Sequence, residues 1–330
     1  MKVSGIIWTA IVALGQLAIS VKGVIVVAAD GSGNYRNLQS AIDSISAPNT
    51  TPVQIHIKPG RYNGHVSIPY GKSSINFLGQ GAFPTNTLVT WSVSSAGGSM
   101  EHSTLSIYAT NLLFENLAIQ NTWPVDRGQA NAITSSCRAA FNQFKNVWIL
   151  STQDTIYLQG GPHYFTNCCI AGTVDFICGD GPAWFDNCEL AFVERSDKGG
   201  GILTANNCQQ FQKFGFVFKN CTITGANTHQ ANWLGRPWSP FASVTFLHCK
   251  MDASIHPQGW CPWKAHTPGT EARFNESGSM DLNGSPLDLS GRVGPSQNWN
   301  RTKVALSVSM ASAFTRDNVL MGWVPPNWPK

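Results

Sequence analysis

One six-residue pattern recurs six times and constrains the fold more than any other feature. The copies are FENLAI from Phe114, FKNVWI from Phe144, FTNCCI from Phe165, FDNCEL from Phe185, FKNCTI from Phe218 and FLHCKM from Phe246. Their intervals are 30, 21, 20, 33 and 28 residues. Each copy alternates apolar and polar residues, as a half-buried strand does. Strands that keep one phase at intervals of about 20 to 30 residues mark a solenoid. A sandwich has no need to hold the phase through six copies. With no long helix between copies, the pattern predicts an all-β chain wound as a single-domain parallel β-helix.

Stacked coils put equivalent positions into interior columns. The fourth position of the copies reads Leu117, Val147, Cys168, Cys188, Cys221 and Cys249. Small buried thiols packing like apolar residues explain the four cysteines best. A Cys168–Cys188 or Cys221–Cys249 disulfide is the alternative, and coil spacing does not suit paired zinc-ligand loops. The ends of a solenoid need covers. Residues Asn34 to Ile45 place Leu38, Ala41, Ile42 and Ile45 on one helical face, suited to capping the first coil. Thr302 to Leu320 carries a weaker helical pattern, and the tail from Val324 to Lys330 reads as extended.

The same phase argument brings two acids together. Asp154 follows Phe144 by ten residues, and Asp175 follows Phe165 by ten. Adjacent strands lie about 4.8 Å apart, so the two carboxylates are expected side by side on one face. Two such groups cannot both ionise cheaply; one pKa rises while the other stays low. The split suits one acid to proton donation and the other to nucleophilic attack. A solvated or calcium-binding acidic ladder is the alternative, against which Ile156, Tyr157, Val174, Phe176 and Ile177 argue.

Residues 1–23 read as an export signal, with Lys2, the apolar run Ile6 to Ile19, and Ala18, Ser20 or Gly23 as small cleavage-site residues. The run is short for a membrane span. The expectation is a secreted, soluble protein of residues 24–330, placed outside the cell or in the cell wall. With 42% hydrophobic and 12% charged residues, a large core is favoured over disorder. The net charge of +4 comes without basic clusters interleaved with aromatics, which argues against nucleic acid. Sequons start at Asn49, Asn220, Asn275, Asn283 and Asn300, and those in loops are glycosylation candidates.

At TQDTIY (Thr152–Tyr157), GTVDFICG (Gly172–Gly179) and LGRPW (Leu234–Trp238) the chain resembles the pectin methylesterases, or pectinesterases. Asp30–Asp43, IKPGRY from Ile57, IQNT from Ile119, GQANAI from Gly128, LTAN from Leu203 and GW at Gly259 extend the likeness in family order. The resemblance implies a right-handed parallel β-helix that hydrolyses galacturonate methyl esters in pectin. It implies Asp175 as nucleophile, Asp154 as general acid/base, and Gln153 and Gln129 as oxyanion donors. Arg236 would hold the nucleophile and Trp238 would pack against the sugar, with Trp123, Trp233, Trp260 and Trp263 as lesser groove candidates. No metal and no organic cofactor is called for. A capped solenoid is expected to be monomeric, and a proteinaceous inhibitor is the protein partner this family brings into view. No inhibitor-like helical pro-region is expected ahead of the domain.

The chain departs from the family at Gly64, where a glutamate is usual, and at Cys178, where a phenylalanine is usual. Rival readings are a polygalacturonase or lyase on the same solenoid, or an inactive wall-binding homologue. A serine esterase is disfavoured because G-x-S-x-G is absent, as is H-E-x-x-H.

Overall fold

The computed structural model describes residues 22–49, 51–98, 100–226, 230–263, 271–293 and 305–326. The expected leader lies almost wholly outside them, as do the sequon at Asn300 and the end of the tail. Every strand pairing between the named strands is parallel, and each coil contributes to three stacked faces. One coil runs through Asn142–Leu150, which bends to serve two faces, and then Ile156–Leu158 on the third. The next runs through His163–Thr166, Cys169–Gly172 and Ile177–Gly179.

The bend between the first two faces falls at the third position of the repeat. Asn116, Asn146, Asn167, Asn187, Asn220 and His248 all have φ between 52° and 57°. Asparagine tolerates this left-handed conformation better than other non-glycine residues. The side chains also link coils: Asn146 Nδ2 donates to Asn116 Oδ1 at 3.0 Å, and Asn187 Nδ2 to Asn167 Oδ1 at 2.6 Å. The asparagines are thus corner residues, and alternation is broken there so that positions one, four and six of the repeat all point inward.

Those three positions build the core. Phe114, Phe144, Phe165, Phe185, Phe218 and Phe246 pair in register as the repeat predicts. Together with Phe77 they stack with ring centroids 4.5–4.9 Å apart. Leu117, Val147 and the four cysteines form the second column, each at most 2% exposed. All nine cysteines are free, so the thiols pack as small buried groups and not as disulfides. The six-phenylalanine column predicts a large cost for interrupting it. Phe165→Ala should lower stability by about 3–5 kcal/mol, read by chemical denaturation. A loss under about 1 kcal/mol would mean the column collapses around the gap.

The amino-terminal end is covered. Leu38–Asp43 forms the first helix, α1, with Asn37 capping its amino end through Ser40 N–H at 2.8 Å. Leu38, Ala41 and Ile42 are buried against the first coils, and Ile45 beyond the helix is buried too. At the other end the expected helical stretch holds two short helices, Val308–Ala311 and Arg316–Val319. They pack Val319 and Leu320 on Tyr164, Trp184, Val217 and Leu247, on the outside of the coil wall, so this stretch clads the flank of the solenoid and does not cap its end as expected. Among the described residues no helix is long and apolar enough to cross a membrane. Of the sequons, Asn220 and Asn283 are exposed. Asn275 is 9% exposed within a strand, and its amide donates to Thr245 Oγ1 at 3.1 Å.

Candidate active site

The third face carries the chemistry. Ile156 pairs with Ile177 in register, so Asp154 and Asp175, each two residues earlier, occupy equivalent places on consecutive coils. Both adopt left-handed φ, 58° and 51°. Such backbone is costly for most residues and collects at functional turns. Here it sharpens the turn into each strand so that both side chains reach one cleft of about 280 Å³.

Asp175 is 5% exposed and is gripped by Arg236. Arg236 Nε donates to Oδ1 at 2.9 Å and Nη2 to Oδ2 at 2.5 Å, a bidentate charge-assisted pair. The strand Trp233–Pro237 supplies this arginine from two coils further on. Burial pushes the Asp175 carboxyl up, and Arg236 pulls against it. Burial likewise pulls the guanidinium down, but its bonds to Asp175 more than offset this. With two donors on its oxygens, Asp175 is the acid of the pair held as an anion.

Asp154 has no such partner. Burial first, then the neighbouring Asp175 charge, raise its pKa to about 8, while Arg236 and a hydrogen bond with Gln153 act the other way. The two acids are therefore inequivalent, Asp154 neutral around neutral pH and Asp175 paired with Arg236, but the second pKa does not stay low as the spacing predicts: burial leaves Asp175 raised as well. A stability consequence follows from the sign. The folded pKa of about 8 lies above the ordinary value of 3.8, so the contribution of Asp154 to stability is full below pH 3.8 and is lost as pH rises through 8. Asp154→Asn, neutral throughout, should gain on wild type across this window, by a few kcal/mol at alkaline pH. Denaturation curves near pH 4 and pH 9 measure it; an equal difference at both would contradict the shift.

Gln129 and Gln153 are bridged on adjacent coils and both line the cleft beside the acids. Trp238 lines it as well, 5.8 Å from the Tyr157 ring. All six residues singled out from the sequence thus converge. The lesser tryptophans divide. Trp263 joins the cleft, its ring 4.2 Å from the Arg236 guanidinium carbon and 6.2 Å from Trp238. Trp260 does not: it is 1% exposed and stacks on Phe274 in the core. Trp233 stacks on His256, and Trp123 donates its indole N–H to Arg127 O. Cys178 lines the cleft at 4% exposure, its thiol raised by burial and by the two aspartates. Ala205, in register with both Cys178 and Arg236, completes the floor. Its small size lets Arg236 reach across to Asp175, a need the LTAN stretch alone does not reveal. Gly64 has φ 115°, a conformation suited to glycine, and a Cβ there would meet open space.

Two larger cavities lie elsewhere, about 490 Å³ beside the first coil and about 550 Å³ under the carboxy-terminal helices. Neither brings two acids together with an arginine. Among the described residues no group of His, Cys, Asp or Glu has the arrangement of a metal site.

Fold and cleft together define a class: a parallel β-helix with an arginine-clamped aspartate and a second, neutral acid on its outer face. Within that class the chain belongs to the pectinesterase family, whose sequence pattern matches residues 24–323. Pectinesterase 31 of Arabidopsis thaliana is 35% identical over 253 residues, 72% of this chain and 76% of that protein. Probable pectinesterase/pectinesterase inhibitor 58 of the same plant is 31% identical over 319 residues, 93% of this chain. The chain spans only 54% of that relative's length. Among solved structures, the pectin methylesterase from carrot superposes with a TM-score of 0.82 at 27% identity, over 90% of this chain and 93% of that one. The pectin methylesterase of Erwinia chrysanthemi gives 0.77 at 25% identity, over 94% and 99%. A pectin methylesterase in complex with a hexasaccharide gives 0.76 at 26%, over 92% and 98%.

Proposed function

We propose that this protein hydrolyses methyl esters of galacturonate units in pectin, releasing methanol, and that it does so as a secreted monomer in the cell wall. Family membership sets the reaction class, and the hexasaccharide complex of a similar enzyme supports a polymeric sugar in the groove. The observation that carries the reading is the bidentate grip of Arg236 on Asp175 beside a neutral Asp154.

A carboxylate is a weak nucleophile, so orientation and charge must be supplied by its surroundings. Arg236 keeps Asp175 ionised and aimed. An Asp175 oxygen adds to the ester carbonyl carbon, and negative charge collects on the carbonyl oxygen. The amides of Gln129 and Gln153, both on the cleft wall, donate to it in this reading; one such donor is typically worth about 3 kcal/mol. Collapse of the adduct breaks the bond to methoxide, which leaves as methanol with the proton of Asp154. An anhydride then links Asp175 to the sugar acid. Asp154, now a carboxylate, takes a proton from water, whose oxygen attacks the acyl carbon. This frees Asp175 and restores the acid. Trp238 and Trp263 offer aromatic faces to the pyranose rings.

The test is methanol release from highly methylated pectin with no fall in chain length. Shortening of the chain would favour a galacturonase or lyase, and binding without methanol would favour an inactive homologue. Turnover limited by the first step should also decline as pH rises through about 8, where Asp154 loses its proton. A pH–rate profile flat through that range would remove Asp154 from the acid role.

A further inference from the structure

We infer that Asp180 is a specificity-determining residue that disfavours an unesterified galacturonate beside the reacting unit. The inference rests on the proposed reading of the cleft. Leu158, Gly179, Asn206 and Pro237 stand in one register row across four coils. The ladder then continues one step past the strands. Asp180 N–H donates to Leu158 O at 2.9 Å, Asn207 N–H to Gly179 O at 2.8 Å and Trp238 N–H to Asn206 O at 3.1 Å. Asp180 therefore shares a row with Trp238, the aromatic wall of the cleft, two coils away or roughly 10 Å. It is near enough to Tyr157 to contribute to raising that phenol, whose oxygen accepts from Gln159 Nε2 at 2.8 Å. Tyr157 in turn faces Trp238.

Three facts make this carboxylate count. It is half-buried and, among the described residues, no cation pairs with it. Its Oδ1 is buried without a hydrogen-bond partner; burial pushes the carboxyl up, and only its own backbone N–H pulls the other way. And among the described residues lining the cleft the one cation is Arg236, which Asp175 already occupies. Among the described residues, a de-esterified uronate entering this groove meets acidic groups and no free positive charge. A methyl ester meets neither repulsion nor the cost of stripping water from an anion. The enzyme should accordingly favour runs of esterified units and slow as its own acidic product accumulates.

The experiment compares kcat/KM for methanol release from pectins of high and low methylation, at about 10 mM and about 150 mM ionic strength. For wild type the preference for the highly methylated substrate should shrink with salt. Asp180→Asn should narrow it about two- to fivefold at low salt, while Asp180→Glu should keep it. Titration calorimetry with a fully de-esterified galacturonate oligomer should show tighter binding to Asp180→Asn by a similar factor. An unchanged ratio and an unchanged affinity in Asp180→Asn would overturn the inference. So would a salt-insensitive wild-type preference, which needs no variant to fold. Absence of methanol from every pectin would instead strike the functional reading, and the calorimetric arm would still decide the role of Asp180.

Discussion

Asp175→Asn should abolish methanol release, by roughly 10⁴-fold or more in kcat, because the amide cannot form the acyl intermediate. The substitution is nearly isosteric, so the cleft keeps its shape. Its electrostatics do not survive. Arg236 Nε and Nη2 lose a carboxylate that takes 2.9 and 2.5 Å bonds, and a partly buried guanidinium is left facing an amide. Asp154 loses the neighbouring negative charge that helps raise it, while Arg236 goes on pulling it down. Its pKa should therefore fall from about 8, an effect visible by NMR titration even in a dead enzyme. The kinetic and titration results belong together. Residual turnover near the wild-type level would remove Asp175 from its role, and an unmoved Asp154 would show the two acids to be uncoupled. Arg236→Lys gives a milder variant of the same argument: one point charge replaces a planar fork, so the nucleophile stays charged but loses its fixed orientation.

Much of this was legible in the sequence because a solenoid converts spacing into position. Ten residues from a phenylalanine to an aspartate, repeated on the next coil, sufficed to place two acids side by side. The register of Phe144 on Phe165 and of Ile156 on Ile177 bears that out. The thiol column followed from the same phase. What spacing does not carry is the path of irregular segments. Trp260 and Trp263 are three residues apart, yet one enters the core and the other the cleft, since the segment leaves the coil between them. The small residue Ala205 carries no chemical signal in a sequence, although Arg236 needs the space above it. The corner role of the asparagines depends on φ, which periodicity ignores. And the pairing that closes the far end of the core joins residues 16 apart in an aperiodic stretch.

That pairing gives a stability effect as large as that of interrupting the phenylalanine column. Glu276→Ala or Arg292→Met should each cost about 3–5 kcal/mol, whereas Glu276→Leu combined with Arg292→Met should cost much less than the two single losses added. The reason begins with the aromatic column. The partner of Phe246 in the next coil is Glu276, so a carboxylate takes the place of a ring where the stack ends. Glu276 is wholly buried, and Arg292 nearly so. Arg292 Nε donates to Oε1 at 2.8 Å and Nη2 to Oε2 at 3.4 Å, while Ser279 Oγ donates to Oε2 at 2.9 Å. Every oxygen of the buried anion is thus satisfied, and removing either partner strands a charge out of water. Arg292 Nη1 also donates to His256 O at 3.2 Å and Pro257 O at 3.0 Å, bracing the segment that leads to Trp263. The same segment is tied to the Arg236 strand by Leu234 N–H to Gly259 O and Cys261 N–H to Gly235 O. Loss of the ion pair should therefore loosen the Trp263 wall as well as the core, raising KM more than it lowers kcat. A double-mutant cycle on denaturation free energy, run beside the kinetics, separates the two effects. Additive single losses would show that the charges act independently, and an unaltered KM would show that the brace stops short of the cleft.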